Sequence, residues 1–185
     1  MRAIAGMLLL SLPIGLACGQ RVDRSTPPRM AEGAGGFTVR SLSALPLVDG
    51  RTWIEVRDQF VSDGTYRAPN GQFTLTLEDK PENAHNVASF AIYFTDGNGT
   101  RSQLDPGFAV YTYITPDSRW IISDPLEAID VTNWVKYSLS KALHIDSYVV
   151  MRAISPDGRR LVISRQTCAF DCAHIPDEYY EIGIP

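Results

Sequence analysis

The chain has 185 residues, 44 % of them hydrophobic and 21 % charged, with a formal net charge of −4. That is one domain's worth of sequence, with enough apolar material to fold without a metal or covalent staple. From residue 37 onward 13 basic side chains stand against 19 acidic ones, which excludes both the basic footprint of nucleic-acid binding and a polybasic grip on anionic lipid.

Residues 1–17, MRAIAGMLLLSLPIGLA, place Arg2 before an uncharged run over 3–17. The run is shorter than the roughly 20 apolar residues of a membrane span and fits a secretory signal peptide. Gly15 and Ala17 satisfy the small-residue rule of ordinary signal cleavage, which would release a soluble periplasmic or secreted protein. Gly15-Leu16-Ala17-Cys18 also resembles the lipobox of bacterial lipoproteins, with Gly15 at the place where that family prefers Leu. The resemblance implies acylation of Cys18, anchorage to the membrane through an N-terminal lipid, and a place in the cell envelope. Gly19, where Asp often marks inner-membrane retention, leans the implied address towards the outer membrane. Residues 18–36 are rich in Gly, Pro and Arg and have no apolar period, so they are expected to form a flexible tether. The globular domain is expected over 37–185.

Within that domain strand signals dominate. Ile54 and Val56 alternate with Trp53 and Glu55, and Phe73, Leu75 and Leu77 alternate with Thr74, Thr76 and Glu78. The stretch 63–73, DGTYRAPNGQF, resembles the opening of small exported PsbP-like domains, which implies an antiparallel sheet flanked by helices and an accessory role without catalysis. Phe90, Ile92 and Phe94 share a face before the turn at Asp96-Gly97-Asn98-Gly99. That turn opens like a calcium loop, but Arg101 and Gly107 stand where Gly and Glu belong, so a plain turn is preferred. GFAVYTYITPDSRWIIS reads as two strands joined at Pro116-Asp117-Ser118, and SYVVMRAISPDGRRLVIS as a hairpin with Asp157-Gly158 at its tip. SPDGRRLVIS and TPDSRWIIS, starting 40 residues apart, resemble blade motifs of TolB-type β-propellers, and PNGQFTLTL is a fainter third copy. Repeated use of one hairpin turn is the preferred reading, because a propeller needs at least four blades and a helix interrupts the last interval.

That helix is expected over about 130–144. Val131, Trp134, Val135, Ser138 and Ala142 fall near helical spacing, Leu139 and Leu143 widen the face, Asp130 or Thr132 can cap it, and Lys141 and His144 suit its last turn. The expected fold is therefore α+β, a mostly antiparallel sheet with one main helix packed on one face.

Few residues suggest chemistry. Cys168 and Cys172 are expected to form a disulfide in an oxidising envelope. Cys172, His174, Asp177 and Glu178 crowd into seven residues and are the weak candidates for a metal, though zinc-binding spacing is lacking. Ser138-Leu139-Ser140-Lys141 matches S-x-x-K of penicillin-binding proteins without the accompanying K-T-G or S-D-N, so a solvated helix face is preferred. No cofactor is expected. Tyr111, Tyr113, Tyr179 and Tyr180 are weak candidates for partner contacts, since tyrosine is favoured at interfaces. The leading expectation is a non-catalytic, lipid-anchored envelope protein that binds another macromolecule, in one version an inhibitor or immunity protein. The alternatives are a small metal-dependent hydrolase built on Cys172 to Glu178 and a passive structural lipoprotein.

Overall fold

The computed structural model describes residues 22–56, 64–79, 90–104, 112–123, 126–145, 148–166 and 178–185. Cys18, Tyr111, Cys168, Cys172, His174 and Asp177 lie outside these residues. The strands are, in chain order, β1 Arg29–Met30, β2 Thr38–Leu42, β3 Ile54–Glu55, β4 Thr65–Arg67, β5 Phe73–Asp79, β6 Phe90–Asp96, β7 Arg101–Gln103, β8 Thr112–Ile114, β9 Trp120–Ser123, β10 Glu127–Asp130 and β11 Val135–Ser138. A short helix, α1 Leu139–Ala142, precedes β12 Tyr148–Ile154, β13 Arg160–Gln166 and β14 Glu178–Gly183.

They form three sheets with orders β4-β5-β6-β7, β1-β11-β10-β9-β8 and β2-β14-β13-β12-β3. The sheets stack face to face, with β8–β11 in the middle. Alternation along the middle strands divides their side chains between two cores. Ile114, Ile121 and Ile129 meet Phe73, Leu75, Ile92 and Phe94 of the first sheet. Tyr113, Ile122 and Ala128 meet Met151, Leu161, Ile163 and Ile182 of the third. Period-2 geometry requires this division once both faces are covered. The remaining face of the third sheet is covered by Trp53, which packs on Ala153 and Val162 under the guanidinium of Arg160. The outward rows of the first sheet carry Thr74, Thr76, Thr95 and Arg101 instead, a polar finish that ends the stack.

Each sheet opens with the same hairpin. Ala68, Thr115 and Ser155 each donate the backbone N–H to the carbonyl five residues on, at 3.0, 3.0 and 2.8 Å. Asn70, Asp117 and Asp157 each accept the N–H two residues later, at 2.9, 3.0 and 3.1 Å. Gly71, Ser118 and Gly158 take the left-handed conformation that completes a type I turn with a bulge. The resemblance among the three segments thus extends past the turn, since every copy starts a four-stranded antiparallel unit. In the third unit β2, from the N-terminal side, supplies the outer strand beside β14. The turns also touch one another. Asn70 donates its N–H to Ser118 Oγ at 3.0 Å, and Gly158 sits so close to Pro116 that an added Cβ would overlap the proline ring.

The expected α+β fold with a main helix over 130–144 is not what forms. That segment is the β10–β11 hairpin followed by the four-residue α1, and the chain is mostly β. Asp130 does bind backbone N–H groups, those of Thr132 and Asn133 at 2.9 and 3.2 Å, but it organises a hairpin loop. An aspartate that caps a helix and one that closes an Asx-turn offer the same oxygen to the same donors. Trp134 then takes φ 54°, which ends any helix there. Its strain is offset by burial against Phe94, with ring centroids 4.7 Å apart, and by an indole bond to the Thr26 carbonyl at 2.7 Å.

Residues 22–56 run around this stack. Arg24 reaches the Val131 carbonyl, β1 pairs in parallel with β11, and Phe37 enters the second core edge-on to Trp120. The stretch 22–36, read from composition as a spacer, thus takes its hydrogen-bond partners from the middle sheet.

The two glycines Gly158 and Gly99 separate strain from collision. Gly99 has φ 81° in open space, so Gly99→Ala should cost about 1 kcal/mol from backbone strain alone. Gly158→Ala adds the Pro116 overlap and should cost roughly 3 kcal/mol. Chemical denaturation of the two variants measures the difference, and equal losses would contradict the close packing of the turns.

Candidate functional site

The tyrosines anticipated at an interface divide. Tyr113 is buried at 6 % exposure in the core between the middle and third sheets. Burial foremost, with Tyr66, Asp117 and Asp157 nearby, pushes its hydroxyl well above the usual phenol range. Tyr180 is half-buried against the same core, and Tyr179 is half-buried on the opposite face of β14. Glu178, from the anticipated metal cluster, is exposed, pairs with Arg165 at 3.3 Å and accepts the Tyr180 hydroxyl at 2.7 Å. Among the described residues no group of three or more His, Cys, Asp or Glu could hold a metal.

Most charged groups that cluster are occupied by structural work. Asp117 and Asp157 bind Thr115 and Ser155 hydroxyls as well as the turn amides. Asp96 accepts the N–H groups of Asn98 and Thr100, the arrangement of a plain turn. Asp49 accepts those of Arg51, Thr52 and Trp53, which holds its carboxyl down at about 2. Arg40 grips Glu181 through two nitrogens, at 3.1 and 2.8 Å.

One place differs. Between the segment after β1 and the α1 turn lies a cleft of about 650 Å³, within the size range of small-ligand sites. Glu32, Ser138, Lys141 and His144 line it together with Met30 and Ala142. The side chains of Glu32, Lys141 and His144 are exposed and make no hydrogen bond or ion pair among the described residues. Ser138 stands at the N-cap of α1, yet its hydroxyl caps nothing and meets only Ser140 Oγ at 3.4 Å. The S-x-x-K residues therefore share a cleft. Lys141 stands in solvent, however, without the burial that catalytic lysines require.

His144 owes its position to the end of α1. Ile145 donates its N–H to the Ser140 carbonyl at 2.8 Å and His144 to that of Lys141 at 3.4 Å, a Schellman closure with His144 in the left-handed position at φ 56°. Glycine serves that position with least strain. An imidazole held there at a conformational cost, on the rim of a cleft, is the kind of outlier from which function can be inferred.

Neither Glu32 nor the cleft was visible in the sequence. Glu32 sits in the stretch read as spacer, and only the parallel pairing of β1 with β11, more than a hundred residues apart in the chain, brings it beside Lys141. No family model, curated protein or solved structure matches this chain.

Two outcomes follow from the geometry. His144→Gly should leave stability unchanged or raise it by about 0.5–1 kcal/mol, since glycine relieves the left-handed strain. A clear loss of melting temperature would mean that the imidazole is structural. The second concerns acid. The Ser155 hydroxyl and the Arg159 N–H hold the Asp157 carboxyl below its ordinary range. A carboxyl more acidic in the folded than the unfolded chain stabilises above the unfolded value, about pH 4, and loses that contribution as pH falls through the folded one. Melting temperature should fall on acidification below about pH 4, and Asp157→Asn should flatten that slope in a pH series.

Proposed function

We propose that the protein is exported, anchored by a lipid on Cys18, and acts without catalysis by binding another macromolecule of the cell envelope at the cleft beside α1. The observation that carries this reading is the set of polar groups, Glu32, Ser138, Lys141 and His144, around one opening of about 650 Å³, of which Glu32, Lys141 and His144 have no side-chain partner among the described residues. Most other charged clusters among the described residues are consumed by turns and ion pairs, whereas here complementary charge is left for a ligand. Binding sites bring a few convergent polar groups together beside apolar lining, and Met30, 56 % exposed, supplies an adaptable apolar rim. The leader, with Arg2 before an uncharged run, and the resemblance at Gly15-Leu16-Ala17-Cys18 support the address. The metal-hydrolase reading keeps only Glu178 of its cluster among the described residues, and that carboxylate is held by Arg165 and Tyr180.

Affinity purification from envelope extracts tests the reading, with the solubilised protein and its Lys141→Glu variant as baits. Lys141 is exposed, so the reversal leaves the fold intact. A reproducible partner should be recovered with the parent chain and depleted about tenfold with the variant, the factor that 1.4 kcal/mol represents. Equal recovery, or no reproducible partner, would refute it. For the anchor, intact-mass measurement should give a diacyl or triacyl chain starting at Cys18, and an unmodified N-terminus rejects lipidation.

A further inference from the structure

We infer that the cleft accepts a zwitterionic peptide segment, with a carboxylate directed to Lys141 and His144, an ammonium directed to Glu32, and a small side chain against Met30 and Ala142. This deepens the binding reading above and rests on it. Three observations carry the inference.

First, charges of opposite sign line one opening from two separate elements. Glu32 belongs to the segment after β1, and Lys141 and His144 belong to α1 and its closing turn. Glu32 and Lys141 do not neutralise each other by an ion pair. A simple anion would be drawn to Lys141 and repelled by Glu32, and a simple cation would meet the reverse. Only a group carrying both charges uses both walls, and charge complementarity of this kind selects partners by penalising wrong ones.

Second, the size fits. A tripeptide in extended form spans about 10 Å between its ends, and a cleft of about 650 Å³ admits it with room for water. A hydroxyl at Ser138, free of capping duty, offers both a donor and an acceptor to a peptide group.

Third, the cost at His144 has no structural return among the described residues. The left-handed closure needs no side chain, and the imidazole is exposed. Such a ring beside Lys141 gives the carboxylate a second donor.

The same chemistry occurs in the zwitterionic headgroup of a phospholipid, and the test separates the two sources. The mature protein, labelled with nitrogen-15, is titrated with Ala-Ala-Ala, with its N-acetyl form, with its C-terminal amide, and with glycerophosphoethanolamine. The free tripeptide should shift the amides of Glu32, Gly33, Ser138 and His144 in a saturable way. Acetylation and amidation should each weaken binding by about tenfold, the loss of one charge-assisted contact. Glu32→Gln should abolish the distinction between free and acetylated peptide, and Lys141→Gln the distinction between free and amidated peptide.

The inference is overturned if shifts are absent at millimolar peptide or fall elsewhere. It is also overturned if blocked peptides bind as well as free ones, or if glycerophosphoethanolamine binds more tightly than the tripeptide. The two readings fail separately. A macromolecular partner captured in a Lys141-dependent way without tripeptide binding would sink this inference and leave the proposed function standing. Charge-specific tripeptide binding without a captured partner would do the reverse.

Discussion

The structure depends on one constraint: the middle sheet must bury both of its faces. Ile121 and Ile122 are neighbours in β9, point to opposite sides, and are each fully inaccessible to water. The same holds for Ala128 and Ile129 in β10. A sheet with two apolar faces cannot stand alone, because each isoleucine left in water forgoes roughly 1.5–3 kcal/mol. The flanking sheets follow from that demand. A register slip by one residue in either would present its polar rows, Thr74 and Thr76 in β5 for example, to the isoleucines. The repeated hairpin limits such slips by fixing where the second strand of each unit begins.

The N-terminal segment ties this stack together and also creates the cleft. It seals the rim near Trp134, adds a parallel pair to the outer edge of the middle sheet, inserts Phe37 between two sheets and extends the third sheet as β2. The parallel pair is only two residues long. One wall of the cleft therefore hangs on few backbone bonds, while the other, at α1, is anchored by Leu139 and Ile145 in the core. Lightly held elements of this kind open at low free energy.

Much of the sheet structure was legible in the chain. Clean alternation at 73–77 is legible because β5 buries Phe73 and Leu75 while Thr74 and Thr76 stay half-buried on the outer face. The turns at Pro116-Asp117 and Pro156-Asp157-Gly158 were legible because local chemistry decides them. The segment 130–144 was misleading for two physical reasons. Its aspartate performs an N-cap's hydrogen bonding inside a loop, and β11 is only four residues long, so its alternation of Val135 and Tyr137 with Lys136 and Ser138 is too short to stand out against the helical spacing. Tyr113 is buried because a tyrosine in a doubly covered sheet has no surface to face. For the site, Ser138 and Lys141 were conspicuous and were read as a solvated helix face. The helix is four residues long, and the face is one wall of a cleft whose other wall comes from residues 30–33.

What the sequence determined by itself is whatever depends on near neighbours in the chain: the alternating strands and the three Asx-stabilised turns. Their energetics are settled within a few residues, so no distant contact is needed to read them. Tertiary structure alone decided that the three hairpin units stack as layers, that 130–138 is a hairpin, and that Glu32 faces Lys141. The first and last of these require contacts across tens to more than a hundred residues. The hairpin, although its own pairs are local, is held by pairing with β9 and β1 and by burial of Trp134 against Phe94. The free energy that selects them is burial shared between segments, a quantity that no single window of sequence contains.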